Sequence, residues 1–234
     1  MLRDQIAFAA GALGVSLEEE ALDAIVLHAG MMLAANAERN LTRITGEKEI
    51  AFLHVADSLT ALARLARAPS GPFADIGSGA GYPGIPLAVV SHRRAALLEA
   101  TGKKASFLRD VVDVLGIDAE VLAERAEEVA HTQPSAFAAV TARALAPLPS
   151  LVELAAPLLA PGGLLIALKG EPSEDELSAG DAVAEIVGLA RASSESFTLP
   201  GIDVRRTIVC YRREGRSRIQ LPRRPGMAQR RPLA

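Results

Sequence analysis

Three glycines at alternate positions, directly after a short apolar segment, are the first residues of this chain whose spacing suggests chemistry. Residues 73–77 have the apolar character of a buried strand and include one acid, Asp75. The strand ends at Gly77, and Gly79 and Gly81 follow. Glycines let the backbone leave a strand in a sharp turn and approach a ligand with no Cβ in the way. A nucleotide-type cofactor is the usual occupant of such a turn at the carboxyl edge of a parallel sheet.

The residues within and after the turn distinguish two classes of cofactor. The spacing of residues 79–84 also satisfies the dinucleotide fingerprint. A dinucleotide would place its pyrophosphate at the N-terminus of the following helix. Asp75 would face that group there, and Pro83 and Pro86 crowd the segment that should offer N–H donors. S-adenosylmethionine has no phosphate, and an acid can help to hold its ammonium group. The turn therefore favours S-adenosylmethionine over a dinucleotide.

A second acid indicates an adenosine-containing ligand. Residues 94–99 read as another buried strand, which ends at Glu99, 18 residues beyond Gly81. An acid near this distance commonly accepts hydrogen bonds from ribose hydroxyls. Both candidate cofactors carry those hydroxyls, so Glu99 leaves the choice between them open.

The composition suits one main folded domain with an appendage. The chain has 234 residues, of which 50% are hydrophobic and 3% aromatic. Its one cysteine, Cys210, excludes an internal disulfide and suits a reducing compartment. No secretory signal pattern opens the sequence, and its longest uncharged apolar run, residues 154–168, is too short to span a bilayer. We therefore expect a cytoplasmic protein with no membrane partner and no metal site.

The net charge of −3 hides an uneven distribution. From Val204 onward the chain has ten arginines and a single acid, Glu214, so the rest of the protein is strongly acidic. A basic segment on an acidic body indicates a polyanionic partner such as RNA. A disordered tail that serves only solubility is the other interpretation.

Apolar periodicity separates a helical N-terminal part from a part in which strands and helices alternate. A capping box, Ser16 with Glu19, predicts a helix over residues 16–38, and a second helix is expected over 47–67. Residues 69–72 then break the pattern. The predicted strands are 73–77, 94–99, 118–123, 137–142 and 163–169, with helices at 84–91, 103–115, 125–131 and 148–159 and a closing hairpin of strands 194–199 and 204–213.

Alternating strands and helices are the signature of an α/β fold with a parallel sheet. A hairpin at the end of such a sheet is typical of the class I S-adenosylmethionine-dependent methyltransferases, whose seven-stranded Rossmann-like sheet ends in an antiparallel strand. Dehydrogenases lack this hairpin. We therefore predict this class I fold with an N-terminal helical region. The predicted parts are the helical region 1–68, the methyltransferase domain 69–213 and the basic tail 214–234.

Seven segments in order make the resemblance to one family specific. They are Asn40-Leu-Thr-Arg-Ile44, His54-Val-Ala-Asp-Ser58, Asp75-Ile-Gly-Ser-Gly-Ala-Gly-Tyr-Pro-Gly-Ile-Pro-Leu87, Gly102-Lys-Lys-Ala-Ser-Phe-Leu-Arg109, Arg125-Ala-Glu-Glu128, Thr141-Ala-Arg-Ala144 and Ala167-Leu-Lys-Gly170. Together they resemble the bacterial 16S rRNA guanine-N7 methyltransferases, also called glucose-inhibited division protein B. The resemblance implies S-adenosylmethionine as methyl donor and a guanine in a decoding-site loop of 16S rRNA, within the small ribosomal subunit, as acceptor.

The resemblance also implies a set of site residues. Besides Asp75, Gly79 and Glu99, the donor site would include Gly77, Tyr82, Ala126, Glu127 and Arg143. Tyr82 would lie near the methionine moiety, and Ala126 and Glu127 would address the adenine edge. Arg143 would position the reactants, with the donor carboxylate and the rRNA both possible partners.

Guanine N7 has a free lone pair and no proton to lose, so the reaction needs no general base. His54 and Asp57 lie on one helix face and are interpreted as packing or RNA contacts. We expect the protein to act as a monomer. The residues expected to contact RNA are Lys103, Lys104, Arg109, Arg143, Lys169, Arg205 and Arg206. A class I methyltransferase acting on a small molecule or a protein is the alternative, and an RNA-binding module with a vestigial cofactor fold is the non-enzyme reading.

Overall fold

The computed structural model describes residues 1–234 and contains seven strands and eleven α-helices. The strands are β1 (Phe73–Ile76), β2 (Ala95–Leu98), β3 (Ala119–Leu122), β4 (Phe137–Arg143), β5 (Leu159–Lys169), β6 (Leu189–Thr198) and β7 (Arg205–Arg213). The helices are α1 (Leu2–Ala12), α2 (Glu19–Arg39), α3 (Glu47–Glu49), α4 (Asp57–Leu59), α5 (Leu62–Leu65), α6 (Gly84–Ser91), α7 (Gly102–Leu115), α8 (Ala126–Thr132), α9 (Leu148–Ala155), α10 (Glu174–Val187) and α11 (Met227–Arg230), with a π-helical segment, Ile50–Ala56, between α3 and α4.

All seven strands belong to one sheet, in the order β3-β2-β1-β4-β5-β7-β6. Strands β1 to β5 pair in parallel, and β7 pairs antiparallel with both β5 and β6. Strands β1, β2 and most of β4 are buried because helices cover both faces, which explains why they read as continuous apolar runs. The predicted class I fold with its antiparallel last strand is confirmed.

The elements around the glycine turn agree with the sequence prediction to within about one residue, and the later ones differ more. Strand β5 begins at Leu159, before the predicted residue 163, so α9 ends at Ala155 and not at 159. Strand β6 likewise begins at Leu189 and not at 194. Helix α10 was not predicted as a separate element.

The N-terminal helices differ from the prediction in how they begin and continue. Helix α2 has Glu18 as its N-cap and no side-chain cap, so the expected capping box at Ser16 is absent. The single helix expected over 47–67 is divided by the π-helical segment. A π-helical turn is wider than an α-helical one, and here His54 and Asp57 are both directed into the protein.

The N-terminal region forms a layer on one face of the sheet. Ile25, Met32 and Phe52 share one buried cluster with Phe73 and Ile166 of the sheet. The other face carries a second cluster, built mainly from α8, α9 and α10. The N-terminal helices and the sheet therefore share one core, and the boundary near residue 68 stays a prediction. No helix combines the length and apolar character needed to cross a membrane.

The arginine-rich segment 214–234 packs against the second face. It leaves β7, and the Arg218 N–H donates to the Ile186 carbonyl at 2.8 Å. Arg223 pairs with the buried Glu153, and Ala228 in α11 is buried. The segment is thus an ordered part of the fold, which argues against a tail that serves only solubility.

Asp75 holds the glycine turn in place from inside the protein. Its carboxylate is fully buried and accepts hydrogen bonds from the Thr141 hydroxyl, at 2.7 Å, and the Gly84 N–H, at 3.1 Å. A Cβ on Gly84 would lie 2.8 Å from the carboxylate oxygen. The acid therefore ties β1 to β4 and to the start of α6. Both oxygens of Asp75 face the protein interior, and its expected contact with a ligand ammonium stays a prediction.

Asp75→Asn provides a test of this structural role. Burial raises the pKa of Asp75 from its usual 3.8 to about 6. The folded state therefore loses stability as pH rises from about 4 to 6, because ionisation there costs more than in the unfolded chain. Asparagine can keep the bonds to Gly84 and Thr141 without ionising. We expect the stability of the variant relative to the native chain to rise by about 1 kcal/mol between pH 5 and pH 7, measured by urea unfolding. An equal difference at both pH values would contradict the assignment.

Candidate functional site

A cavity of about 410 Å³ lies at the carboxyl ends of β1 and β2, beside the glycine turn. We call it the turn cavity. Its lining includes most of the residues that the sequence assigns to donor binding, namely Gly77, Gly79, Glu99, Ala126, Glu127 and Arg143. Lys104, which the sequence analysis expects at an RNA surface, also lines this cavity beside the glycine turn.

The backbone of the turn explains the glycines. Gly77 and Gly79 have positive φ angles of 72° and 59°, which L side chains rarely adopt. A Cβ on Gly77 would also lie 2.7 Å from the Leu145 side chain. Glu99 braces the turn, since one carboxylate oxygen accepts from the Gly79 N–H at 3.0 Å and the other from the Thr101 N–H at 2.8 Å. Each oxygen keeps a lone pair for hydroxyl groups of a ligand.

The start of α8 forms another wall of the turn cavity. Arg125 caps the helix, and its N–H donates to the Glu128 carboxylate at 2.7 Å. Ala126 and Glu127 follow in the first turn. Glu127 is buried, and its Oε1 accepts from the Gly226 N–H of the C-terminal segment at 2.7 Å. The carboxylate that the sequence assigns to the adenine edge is therefore shared with that segment.

A second cavity, of about 350 Å³, lies between the π-helical segment and the ends of β4, β5 and β7. We call it the arginine cavity. Arg143, Arg206 and Lys169 supply three cations to its lining, and Asp57 supplies one anion. Arg143 and Ala144 line both cavities. Ala144 has a positive φ of 53°, a strained conformation of the kind that clusters at functional sites.

Contacts from the N-terminal layer fix the Arg143 guanidinium. Its Nη1 donates to the Leu53 carbonyl at 2.8 Å and to Asp57 Oδ2 at 3.1 Å, and its Nη2 lies 3.1 Å from His54 Nδ1. Three of its five N–H donors are thus engaged, and two remain for a ligand. Asp57 is 3% exposed, and its second oxygen accepts from Arg206 Nε at 3.0 Å.

Three aromatic rings stack beneath Arg143. Tyr82 lies between His54, with centroids 4.6 Å apart, and His28, with centroids 4.5 Å apart. Arg143 lies above the Tyr82 ring at 5.6 Å. Tyr82 is buried and lines neither cavity. The π-helical segment and α2 enclose the ring, which supports Arg143. The expected contact of Tyr82 with a methionine moiety stays a prediction.

Both histidines of the stack are neutral near pH 7. Burial lowers the pKa of His28 to about 4. Burial and the nearby Arg143 charge lower the pKa of His54 to about 3. Because Arg143 donates to Nδ1 of His54, Nε2 carries the proton and donates to the Thr42 hydroxyl at 3.0 Å. The lone pair of His54 is thus occupied, and this imidazole is not free to accept a proton.

The remaining residues predicted to contact RNA fall into two groups. Lys169 and Arg206 line the arginine cavity, where Lys169 also pairs with Glu176 at 2.8 Å. Lys103, Arg109 and Arg205 lie on the exposed surface. The structure therefore brings Arg143, Lys169 and Arg206 together and leaves the other three apart.

Sequence reasoning missed three residues that hold the site. His28 occupies the apolar face of α2 between Ile25 and Met32, and that position was the available signal for a buried imidazole. Thr42 and Thr141 were seen only within longer motifs. Their hydroxyl bonds to His54 and Asp75 depend on contacts between distant segments, which sequence spacing does not reveal.

Solved structures share the fold. M. jannaschii TYW2 in complex with AdoMet aligns with a TM-score of 0.53 over 67% of this chain and 76% of that chain, at 15% identity. Geranyl diphosphate methyltransferase in complex with GPP and sinefungin aligns with a TM-score of 0.52 over 68% of this chain and 77% of that chain, at 14% identity. At such identities the similarity concerns the fold alone.

Sequence comparison covers nearly the whole chain. The Ribosomal RNA small subunit methyltransferase G of Pelotomaculum thermopropionicum is 35% identical over 237 residues, covering 100% of this chain and 99% of the relative. That of a Roseiflexus species is 36% identical over 234 residues, covering 98% and 99%. A profile of the GidB family, described as rRNA small subunit methyltransferase G, matches residues 21–207. The chain therefore belongs to the rRNA small subunit methyltransferase G family.

Proposed function

We propose that this protein transfers a methyl group from S-adenosylmethionine to N7 of a guanine in a decoding-site loop of 16S rRNA. The observation that carries the proposal is the position of Arg143, which lines both the turn cavity and the arginine cavity. A donor held in one cavity and a base held in the other would meet at this residue.

The turn cavity has the groups that an S-adenosylmethionine molecule needs. Glu99 presents carboxylate oxygens to ribose hydroxyls, and the Gly77 and Gly79 backbone permits close approach. Ala126 and Glu127 supply a backbone and a carboxylate for the adenine edge. When bound, S-adenosylmethionine supplies an electrophilic methyl group on a sulfonium. Lys104 and the unused Arg143 donors are the cations available to its carboxylate.

The arginine cavity suits a base that is rich in acceptors and linked to phosphates. Guanine presents O6 and N7 as acceptors on one edge, and N7 must stay free of hydrogen bonds to attack the methyl carbon. We assign Arg143 and Arg206 to O6 and to the flanking phosphates. As the new C–N bond forms, the C–S bond breaks and its electron pair stays on sulfur, so the chain contributes alignment.

The engagement of His54 and Asp57, the two groups of the arginine cavity that could act as a base, supports N7 as the acceptor atom. The lone pair of His54 is engaged by Arg143, and both oxygens of Asp57 are engaged by guanidinium groups. Methylation of an exocyclic amine needs a group that removes a proton, whereas N7 has no proton to lose. A class I methyltransferase acting on a small molecule or a protein is the alternative. The cationic cavity and the family membership favour RNA.

The substrate is tested by transfer of labelled methyl from S-adenosylmethionine to small ribosomal subunits from cells that lack the enzyme. We expect one labelled guanine in a decoding-site loop, mapped by N7-specific strand cleavage, because only an unpaired loop exposes N7 to a protein cavity. Naked 16S rRNA in parallel shows whether ribosomal proteins are required. Label on an exocyclic amine, or donor binding with no labelled rRNA, would contradict the proposal.

Arg143→Ala tests the alignment role. We expect kcat/KM for rRNA methylation to fall about 100-fold, because loss of alignment at a reacting centre commonly costs this much. Arg206 still pairs with Asp57, so we expect the fold to survive, which circular dichroism checks. Arg94→Ala, which removes an exposed arginine outside both cavities, is the matched control. Normal turnover by the Arg143 variant would disprove the role.

A further inference from the structure

The C-terminal segment follows a defined path to the turn cavity. After β7, the N–H groups of Glu214 and Gly215 donate to the Gly188 carbonyl at 3.1 and 3.0 Å. The chain then passes the end of α10 and crosses α9, where the Ser150 hydroxyl donates to the Ala228 carbonyl at 2.8 Å. It reaches the cavity at Gln229, whose side chain is exposed and belongs to the cavity lining.

Two buried carboxylates hold this segment. Glu153 of α9 is 3% exposed, and Arg223 binds it with two hydrogen bonds of 2.6 Å each. Glu127 of α8 accepts from the Gly226 N–H. A buried carboxylate without such partners is costly, so both acids depend on the segment for their hydrogen bonds. An ion pair and a hydrogen bond to a carboxylate therefore hold the segment, in addition to the apolar contacts of Ala228.

The contact with Glu127 places the segment beside the cavity in which a ligand would bind. Only Oε1 of this carboxylate bonds to the chain, and its Oε2 is free for a ligand in the cavity. Gln229 lines the same cavity and has an amide that can both donate and accept. Adenine offers an amino donor and ring-nitrogen acceptors, and therefore matches a carboxylate and an amide placed together.

We propose that residues 223–229 form the outer wall of the donor site at its nucleoside end, with Gln229 as a contact of the adenine. This inference rests on the proposed use of S-adenosylmethionine. It gives the basic tail a role in donor binding instead of the phosphate-binding role that its composition suggested. A bound nucleoside and the docked segment stabilise each other, since both lie against Glu127.

Gln229→Ala tests the contact, with Arg230→Ala as the control at the adjacent exposed position. We expect Gln229→Ala to raise the Kd of S-adenosylhomocysteine about 3- to 10-fold, as loss of one or two hydrogen bonds would. The control should stay within about twofold of the native chain. Isothermal titration gives the constants, and circular dichroism checks that both variants fold.

Limited trypsin digestion provides a second, independent measurement on the full-length native chain. Cleavage after Arg223, which the buried Glu153 holds in the docked segment, reports release of the segment. Adenosine and S-adenosylhomocysteine should slow this cleavage, and methionine alone should not, since the segment lies at the nucleoside end. An unchanged Kd in Gln229→Ala together with adenosine-insensitive cleavage would overturn the inference and leave the proposed function intact. Failure of the native chain to bind S-adenosylhomocysteine would overturn both.

Discussion

The buried carboxylate of Asp57, held between Arg143 and Arg206, is the interaction on which the site depends. Asp57 comes from the N-terminal layer, Arg143 ends β4, and Arg206 lies in β7. A charge this deeply buried is tolerated only with partners, and removal of one partner of such a pair typically costs about 3–5 kcal/mol. The same ion pairs that join the layers therefore also set the direction of the Arg143 guanidinium.

The stacked rings add rigidity to this arrangement without adding charge. Because the pKa values of His28 and His54 are lowered to about 4 and 3, the rings around Tyr82 are neutral, and no cation repels Arg143 from below. The neutral state of His54 also leaves Nδ1 as an acceptor for Arg143. Desolvation of the imidazole thus produces the hydrogen bond that aligns the guanidinium, and the stack depends on the N-terminal helices being docked.

The sequence predicted the sheet and the turn cavity well, because these follow from local signals. Glycine spacing and strand-end acids identified Gly77, Gly79 and Glu99, which all line that cavity. At two other positions side-chain direction decides the structural role. Asp75 points to Thr141 of a neighbouring strand, and Tyr82 is enclosed by helices more than 20 residues away in the chain. Neither burial nor direction at such positions can be read from spacing.

The strand order explains why one residue can serve both cavities. The sheet grows from β1 in two directions, with β2 and β3 on one side and β4, β5, β7 and β6 on the other. Ligands of open α/β sheets bind in the crevice where the order reverses. The turn cavity occupies the β1–β2 side of that crevice, and the arginine cavity occupies the side of β4 and β5.

Arg143 stands at the carboxyl end of β4, directly beside β1. An arginine at this strand end is therefore placed between the two cavities by the topology itself, and the N-terminal layer has only to fix its direction.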